Sequence, residues 1–287
     1  TKVHLFNNAV LWVYNGGSIN VQGTANDPVI FQGTRLEQDY QDVPGQWGKI
    51  WLSSGSKNNV FNYAIIKNGI IGIQVDTLGG ASPTLIIKNT IIRNMSVAGL
   101  LVQGSYVKGW NCVFSNCGQY VMVLNHGGTY DFRQCTFANY WQNSIRQTPL
   151  LKINNYYVDV NGKIQFRALN KAYFGNCILY GNIESGNEID FDNATNDTIG
   201  FNFNFTNCLL KLKDYNSIYK NKFTNCIFNQ EPYFINPNNY NFELQNNSPA
   251  INNGDPQIIL PYAWLHADIK GKSRVSDAAP DIGAYEK

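Results

Sequence analysis

The 287-residue sequence predicts a parallel β-helix, and two observations carry that prediction. A short phrase, Phe-x-Asn-Cys-x-Phe or a near variant, keeps returning, with clear copies at residues 174–179, 205–210 and 223–228. Between its Asn and Gly corners run short segments rich in Val, Ile, Phe, Tyr and Thr, too short for helices and suited to strands.

Aligned on the central residue, the copies hold Ala64, Thr90, Cys112, Cys135, Cys177, Cys208 and Cys226, all small. Two residues on stand Ile66, Ile92, Phe114, Phe137, Leu179, Leu210 and Phe228, which share the strand face of the centre. Three residues before the centre come Phe61, Ile87, Gly109, Phe132, Phe174, Phe205 and Phe223. Their parity is wrong for one straight strand, so the chain must bend between them and the centre. The residue just before the centre is Asn89, Asn111, Asn176, Asn207 or Asn225, with Tyr63 and Gln134 as exceptions. Asn tolerates the left-handed conformation a tight corner needs. A second set, Asn68, Asn94, Asn116 and Asn139, marks the next corner. Periods in the low twenties suit a solenoid of roughly ten coils, about 50 Å long. The double-length gap from Cys135 to Cys177 reads as two coils, one lacking the phrase.

The cysteines follow from this geometry as a stack of small buried side chains. Disulfides and a metal site are the alternatives, and Cys112 and Cys117 match no common zinc spacing. The residue after each centre (Ile65, Ile91, Val113, Thr136, Ile178, Leu209, Ile227) should face outward and is expected to be covered by the chain's own loops.

The chain reads as a single domain. Residues 1–46 hold an N-terminal cap and first coils, 47–230 the repeat body, and 231–287 a Pro-punctuated tail packed on the solenoid. Residues 138–172 interrupt the repeat with a projecting hairpin, signalled by Asn161-Gly162 between alternating runs. Tyr140, Trp141, Tyr156 and Tyr157 in that region, with Arg146, are the candidate ligand-binding residues; the plainer reading packs the rings onto the body. A second interruption, 183–204, carries Glu184, Glu188, Asp190, Asp192 and Asp197, a candidate Ca²⁺ site set against a solvated acidic loop.

Charged residues are 15% and the net charge is +2, so no pull on nucleic acid or a membrane surface is expected. No apolar run approaches the ~18 residues of a membrane span. Thr1 is not an initiator Met, so a processed chain is expected.

The C-terminal run Asn247-Ser248-Pro249-Ala250-Ile251, Gly254-Asp255-Pro256, Asp268-Ile269-Lys270-Gly271, Arg274 and residues 280–286 (Pro-Asp-Ile-Gly-Ala-Tyr-Glu) resembles the signature of right-handed parallel β-helix proteins of Bacteroidetes. Residues 28–31, 45–52 and 137–141 share the likeness, which spans nearly the whole chain. It implies a right-handed helix in a secreted or envelope protein, outer-membrane lipoprotein or periplasmic, whose anchoring Cys would precede Thr1. It does not imply an activity.

Right-handed β-helices host polysaccharide lyases and hydrolases, but fold does not imply function. The chain lacks an Asp-Asp pair and an Arg-x-Lys; Asn125-His126-Gly127-Gly128 only faintly suggests a catalytic His, and Asp76 and Asp131 stand isolated. Two readings survive. One is a non-catalytic envelope or secreted protein, expected as a monomer, that binds a polysaccharide or a surface protein. The other is a polysaccharide lyase or glycoside hydrolase for uronate-containing polymers, with a divergent site.

Overall fold

The structure is a computed structural model, and it describes residues 1–194, 199–213, 217–276 and 278–287. Three parallel sheets of nine, seven and eight strands wind into a right-handed β-helix. The nine-stranded sheet runs from Lys2–Leu5 through Ala64–Lys67, Val113–Ser115 and Ile178–Gly181 to Ile227–Phe228, and the repeat phrase enters it at every coil from Ala64 on. The seven-stranded sheet runs from Val10–Val13 to Ile189–Asp192, and the eight-stranded one from Asn20–Gln22 to Phe223–Thr224.

Every predicted first corner is left-handed. Tyr63, Asn89, Asn111, Gln134, Asn176, Asn207 and Asn225 all have φ between 49° and 51°. Asn68, Asn94 and Asn116 form the second corner, at φ 66°, 58° and 50°. Asn139 departs from the expectation: it is not left-handed, and its side chain instead clamps the backbone N–H and carbonyl of Cys117.

Inside, identical side chains stack rung on rung. Phe132, Phe174, Phe205 and Phe223 lie face to face with centroids 5.5, 4.7 and 5.4 Å apart, close to the ~4.8 Å strand spacing. Gly109 is the odd member of that column because a Cβ there would sit 2.4 Å from the Phe132 ring. The cysteines are free thiols, five buried and Cys226 half-buried. Burial pushes the Cys117 thiol up to about 12, and raises Cys135, Cys177 and Cys208 as well.

Two coil assignments change. Thr136–Asn139 pairs directly with Ile178–Gly181, so the long gap is one coil enlarged by a hairpin, and the longest sheet has nine strands rather than ten. The described residues of 183–204 include strands of the solenoid. Ile189–Asp192 pairs with Leu151–Asn154, and Phe201–Thr206 with Leu169–Gly175, so both are rungs. No cap is seen in residues 1–46 either. Lys2–Leu5, Val10–Val13 and Asn20–Gln22 are the first rung, at the outer edge of all three sheets.

The tail covers the outward stripe. Val113, Ile178 and Leu209, with Ile91 and Ile227 beside them, pack against Phe234, Phe242, Leu244, Ala250, Ile269, Ile282, Ala284 and Tyr285. The C-terminal signature is the clamp that holds this layer. Arg274 and Glu286, both fully buried, pair at 3.0 Å. Glu286 also accepts the Asp281 N–H, and Asp268 accepts the N–H groups of Glu286, Lys270 and Lys272. Corner residues dock the tail: Asn111 donates to the Ala267 carbonyl, and Asn176 both donates to and accepts from the Asp255 backbone.

Asn176→Ala removes both the left-handed tolerance and this dock, and should cost roughly 2–4 kcal/mol in urea unfolding. Asn176→Gly keeps the corner and loses only the amide, so it should cost clearly less. Equal losses in the two variants would show that the corner conformation is not what the Asn supplies.

Candidate functional site

Two residues expected at binding sites turn out to hold each other. Arg146 and Glu188, with side chains 2% and 0% exposed, form a two-point ion pair at 2.5 and 2.8 Å. Arg146 also donates to the carbonyls of Thr148 and Asn139. Glu188 accepts the N–H groups of Leu150 and Ile183. Gly181 lies so close that a Cβ there would meet Glu188 Oε1 at 2.3 Å. Arg146 is therefore not free to take a ligand, nor Glu188 a metal: the pair ties the irregular loop that follows Thr136–Asn139 to the next coil.

The expected aromatic group is split. Tyr140 is edge-on to Phe234 of the tail and donates to Glu231 at 3.1 Å; burial, then the Glu231 charge, raises its hydroxyl well above the usual range. Trp141 is 8% exposed, with its N–H on Ser144. Both form one wall of a polar cavity against the tail. Tyr156 and Tyr157 lie elsewhere, on the predicted hairpin, where Tyr156–Val158 pairs with Ile164–Phe166. Its turn is not built on left-handed Asn161 and Gly162 together. Only Gly162 has positive φ, and the Asp159 carboxylate accepts the N–H groups of Asn161 and Lys163. Tyr156 donates to both oxygens of Asp192 at 2.9 and 3.0 Å. Tyr157 packs on His126, with centroids 5.1 Å apart, beneath the Arg167 guanidinium. Burial and then Arg167 lower the His126 pKa, against the opposing pull of Asp76.

The acidic residues do not converge. Glu184 is exposed in a turn and Glu188 is buried on Arg146. Asp190 and Asp192 alternate outward on one strand, 3.7 and 2.8 Å from Lys152 Nζ. Asp197 lies outside the described residues. Among the described residues no group of three or more His, Cys, Asp or Glu is placed to hold a metal ion, and Glu184, Glu188, Asp190 and Asp192 do not come together. Burial raises the Asp190 pKa and Lys152 opposes it, with Asp192 adding a further rise.

Two carboxylates that look isolated in sequence are not. Asp131 accepts from Arg133 at 2.8 Å and from Lys171 at 2.7 Å; burial works against its charged form, but these bonds win and lower its pKa. Asp76 is a hub on the outer face of the seven-stranded sheet. It accepts from Trp51 Nε1 at 2.6 Å and from the amides of Gln74 and Gln103.

That outer face is the feature sequence reasoning missed. Trp12 stacks between Tyr14 and Trp51, with centroids 4.5 and 4.3 Å apart. Trp12 is 44% and Tyr14 62% exposed. Lys49 lies over Trp51 and donates to Gln74 at 2.7 Å. Rung pairing makes one outward row of Trp12, Trp51, Gln74, Leu101, Val123, Lys152 and Asp190, aromatic at one end and charged at the other. The alternation of Trp12 and Tyr14 was visible. Their alignment with Trp51 was not, because the polar loop of residues 34–46 separates the two strands.

A family profile described as a right-handed beta helix region matches residues 2–137. No curated protein matches the chain. The profile ends where the enlarged coil begins, so Arg146, the hairpin and the tail clamp all lie beyond it. Among the described residues no helix is long and apolar enough to cross a membrane.

Glu188→Gln leaves the Arg146 charge buried without its counter-charge and should cost roughly 3–5 kcal/mol in chemical unfolding. Glu184→Ala, on the exposed turn, should change stability by no more than about 0.5 kcal/mol.

Proposed function

We propose that the chain is a non-catalytic, secreted or cell-envelope β-helix that binds glycan along the outer face of the seven-stranded sheet. The observation that carries this reading is the exposed Tyr14–Trp12–Trp51 stack beside the Asp76 hub. Ring faces take the apolar C–H face of a sugar, while amides and a carboxylate take its hydroxyls. The hub holds Gln74 and Gln103 in place before any ligand arrives, which limits the ordering cost of binding. The likeness of the C-terminal signature to Bacteroidetes envelope β-helix proteins supports the location. A net charge of only +2 supplies little long-range pull on a polyanion, so recognition would rest on the rings and amides. The expected state is a monomer, since the tail already covers the apolar stripe.

A second reading, a hydrolase or lyase for uronate-containing polysaccharide, is favoured by one observation. Asp190 and Asp192 lie on either side of a single Lys152 ammonium, closer than the roughly 9.5 Å upper limit for paired catalytic carboxylates. Asp190, with its raised pKa, would be the acid of the two.

A glycan array followed by calorimetry tests both. The binding reading expects at least one polysaccharide ligand whose affinity falls about tenfold or more in Trp12→Ala with Tyr14→Ala, the effect of ~1.4 kcal/mol, with no new reducing ends or unsaturated products. Product release from a uronate polymer, abolished by Asp190→Asn, would overturn the non-catalytic reading.

A further inference from the structure

We propose that the cavity between the tail and the irregular loop after Thr136–Asn139 is a site for a single neutral sugar ring. The site is distinct from the sheet face, and the proposal stands even if that face binds nothing. The cavity has a volume of ≈ 230 Å³ and is walled by three separate segments: the loop of residues 34–46, residues 140–143, and the tail at 238–240. That is below the roughly 300–1,000 Å³ of drug-sized pockets, so it admits one ring and not a chain of them.

Its floor is preorganised. Asn94 and Asn116 are buried second-corner residues, and their amides pin the walls in place. Asn94 donates to the Asp42 carbonyl at 2.7 Å and Asn116 to the Pro237 carbonyl at 3.2 Å, while the Tyr140 N–H donates to Asn116 at 3.0 Å. Its rim is uncommitted. The side chains of Gln142, Asn143 and Asn238 are exposed and make no hydrogen bond among the described residues. A primary amide both donates and accepts, and so does a sugar hydroxyl.

The charge pattern selects against ions. Asp42, the one carboxylate of the lining, is met by Arg93 at 3.5 Å, so no unmatched charge is left to draw a cation. Arg93 in turn lies under the Tyr240 ring, 3.9 Å from its centroid, and is not itself part of the lining. Tyr240 holds that place at φ 60°, a left-handed conformation that a bulky aromatic rarely adopts. Tyr140, Trp141 and Tyr240 line the cavity, but most of their ring surface is packed against the body and tail, so the amides carry the recognition.

Calorimetric titration of the full chain with D-glucose, D-galactose, D-mannose, N-acetyl-D-glucosamine and D-glucuronate tests the proposal. Saturable binding of at least one neutral sugar, at a Kd of about 1 mM or tighter, and weaker binding of glucuronate are expected. Gln142→Ala with Asn143→Ala, both at exposed positions, should weaken that binding about tenfold or more, whereas Trp12→Ala with Tyr14→Ala should leave it unchanged. The proposal is overturned if no neutral sugar saturates, if glucuronate binds best, or if the sheet-face variant and not the rim variant loses the sugar.

Discussion

From Asn59–Asn62 on, each time the chain leaves the eight-stranded sheet for the nine-stranded one it passes through a residue with φ near +50°. That corner lets two strands of incompatible parity both aim their large side chains inward. It costs an ordinary L-residue roughly 1–2 kcal/mol, and Asn, whose short amide bonds locally, tolerates it best. The amides then find work outside the corner. In the early coils they bond rung to rung, Asn89 to Asn62 and Asn111 to Asn89. In later coils Asn176 and Asn207 bond the tail. The phenylalanine columns, the thiol stack and the docking of the last 57 or so residues all inherit their positions from this one backbone constraint.

Because the repeat is scaffold, chemistry collects where side chains point away from it. The two surfaces put forward for sugars differ in kind. The sheet face is an open, aromatic row held by a carboxylate hub. The cavity is a half-open pocket rich in amides, made by three segments distant in sequence. The enlarged coil serves both without supplying the charged groups expected of it, since Arg146 and Glu188 neutralise each other in the interior.

What could be read in the sequence was what lies within one copy of the phrase. The inward Cys, the corner Asn and the hairpin strands are set by neighbours a few residues apart, and all but Asn139 fall where the spacing put them. What could not be read depends on rung pairing across a variable coil. Trp12 meets Trp51 only after the 34–46 loop is folded out of the way. Arg146 meets Glu188 only once residues 151–154 and 189–192 are known to be adjacent strands. Gly109 looked like a lapse in the pattern, and the Phe132 ring above it shows why it is glycine. The tail signature carried no readable role because its polar residues bond one another.

Stacked coils that touch only their neighbours melt as a row of loosely linked units, each rung able to open from an end. The tail changes that arithmetic. Running alongside, it bonds Asn111, Asn116, Thr136, Asn176 and Asn207, which belong to four different coils. Those coils can open only by first shedding a shared strap, so they exchange their amide protons as one cooperative block. The first rung stands outside the strap and at the edge of every sheet. The molecule is thus graded along its axis, soft at the end that displays Tyr14 and stiffer through the coils that the tail straps together.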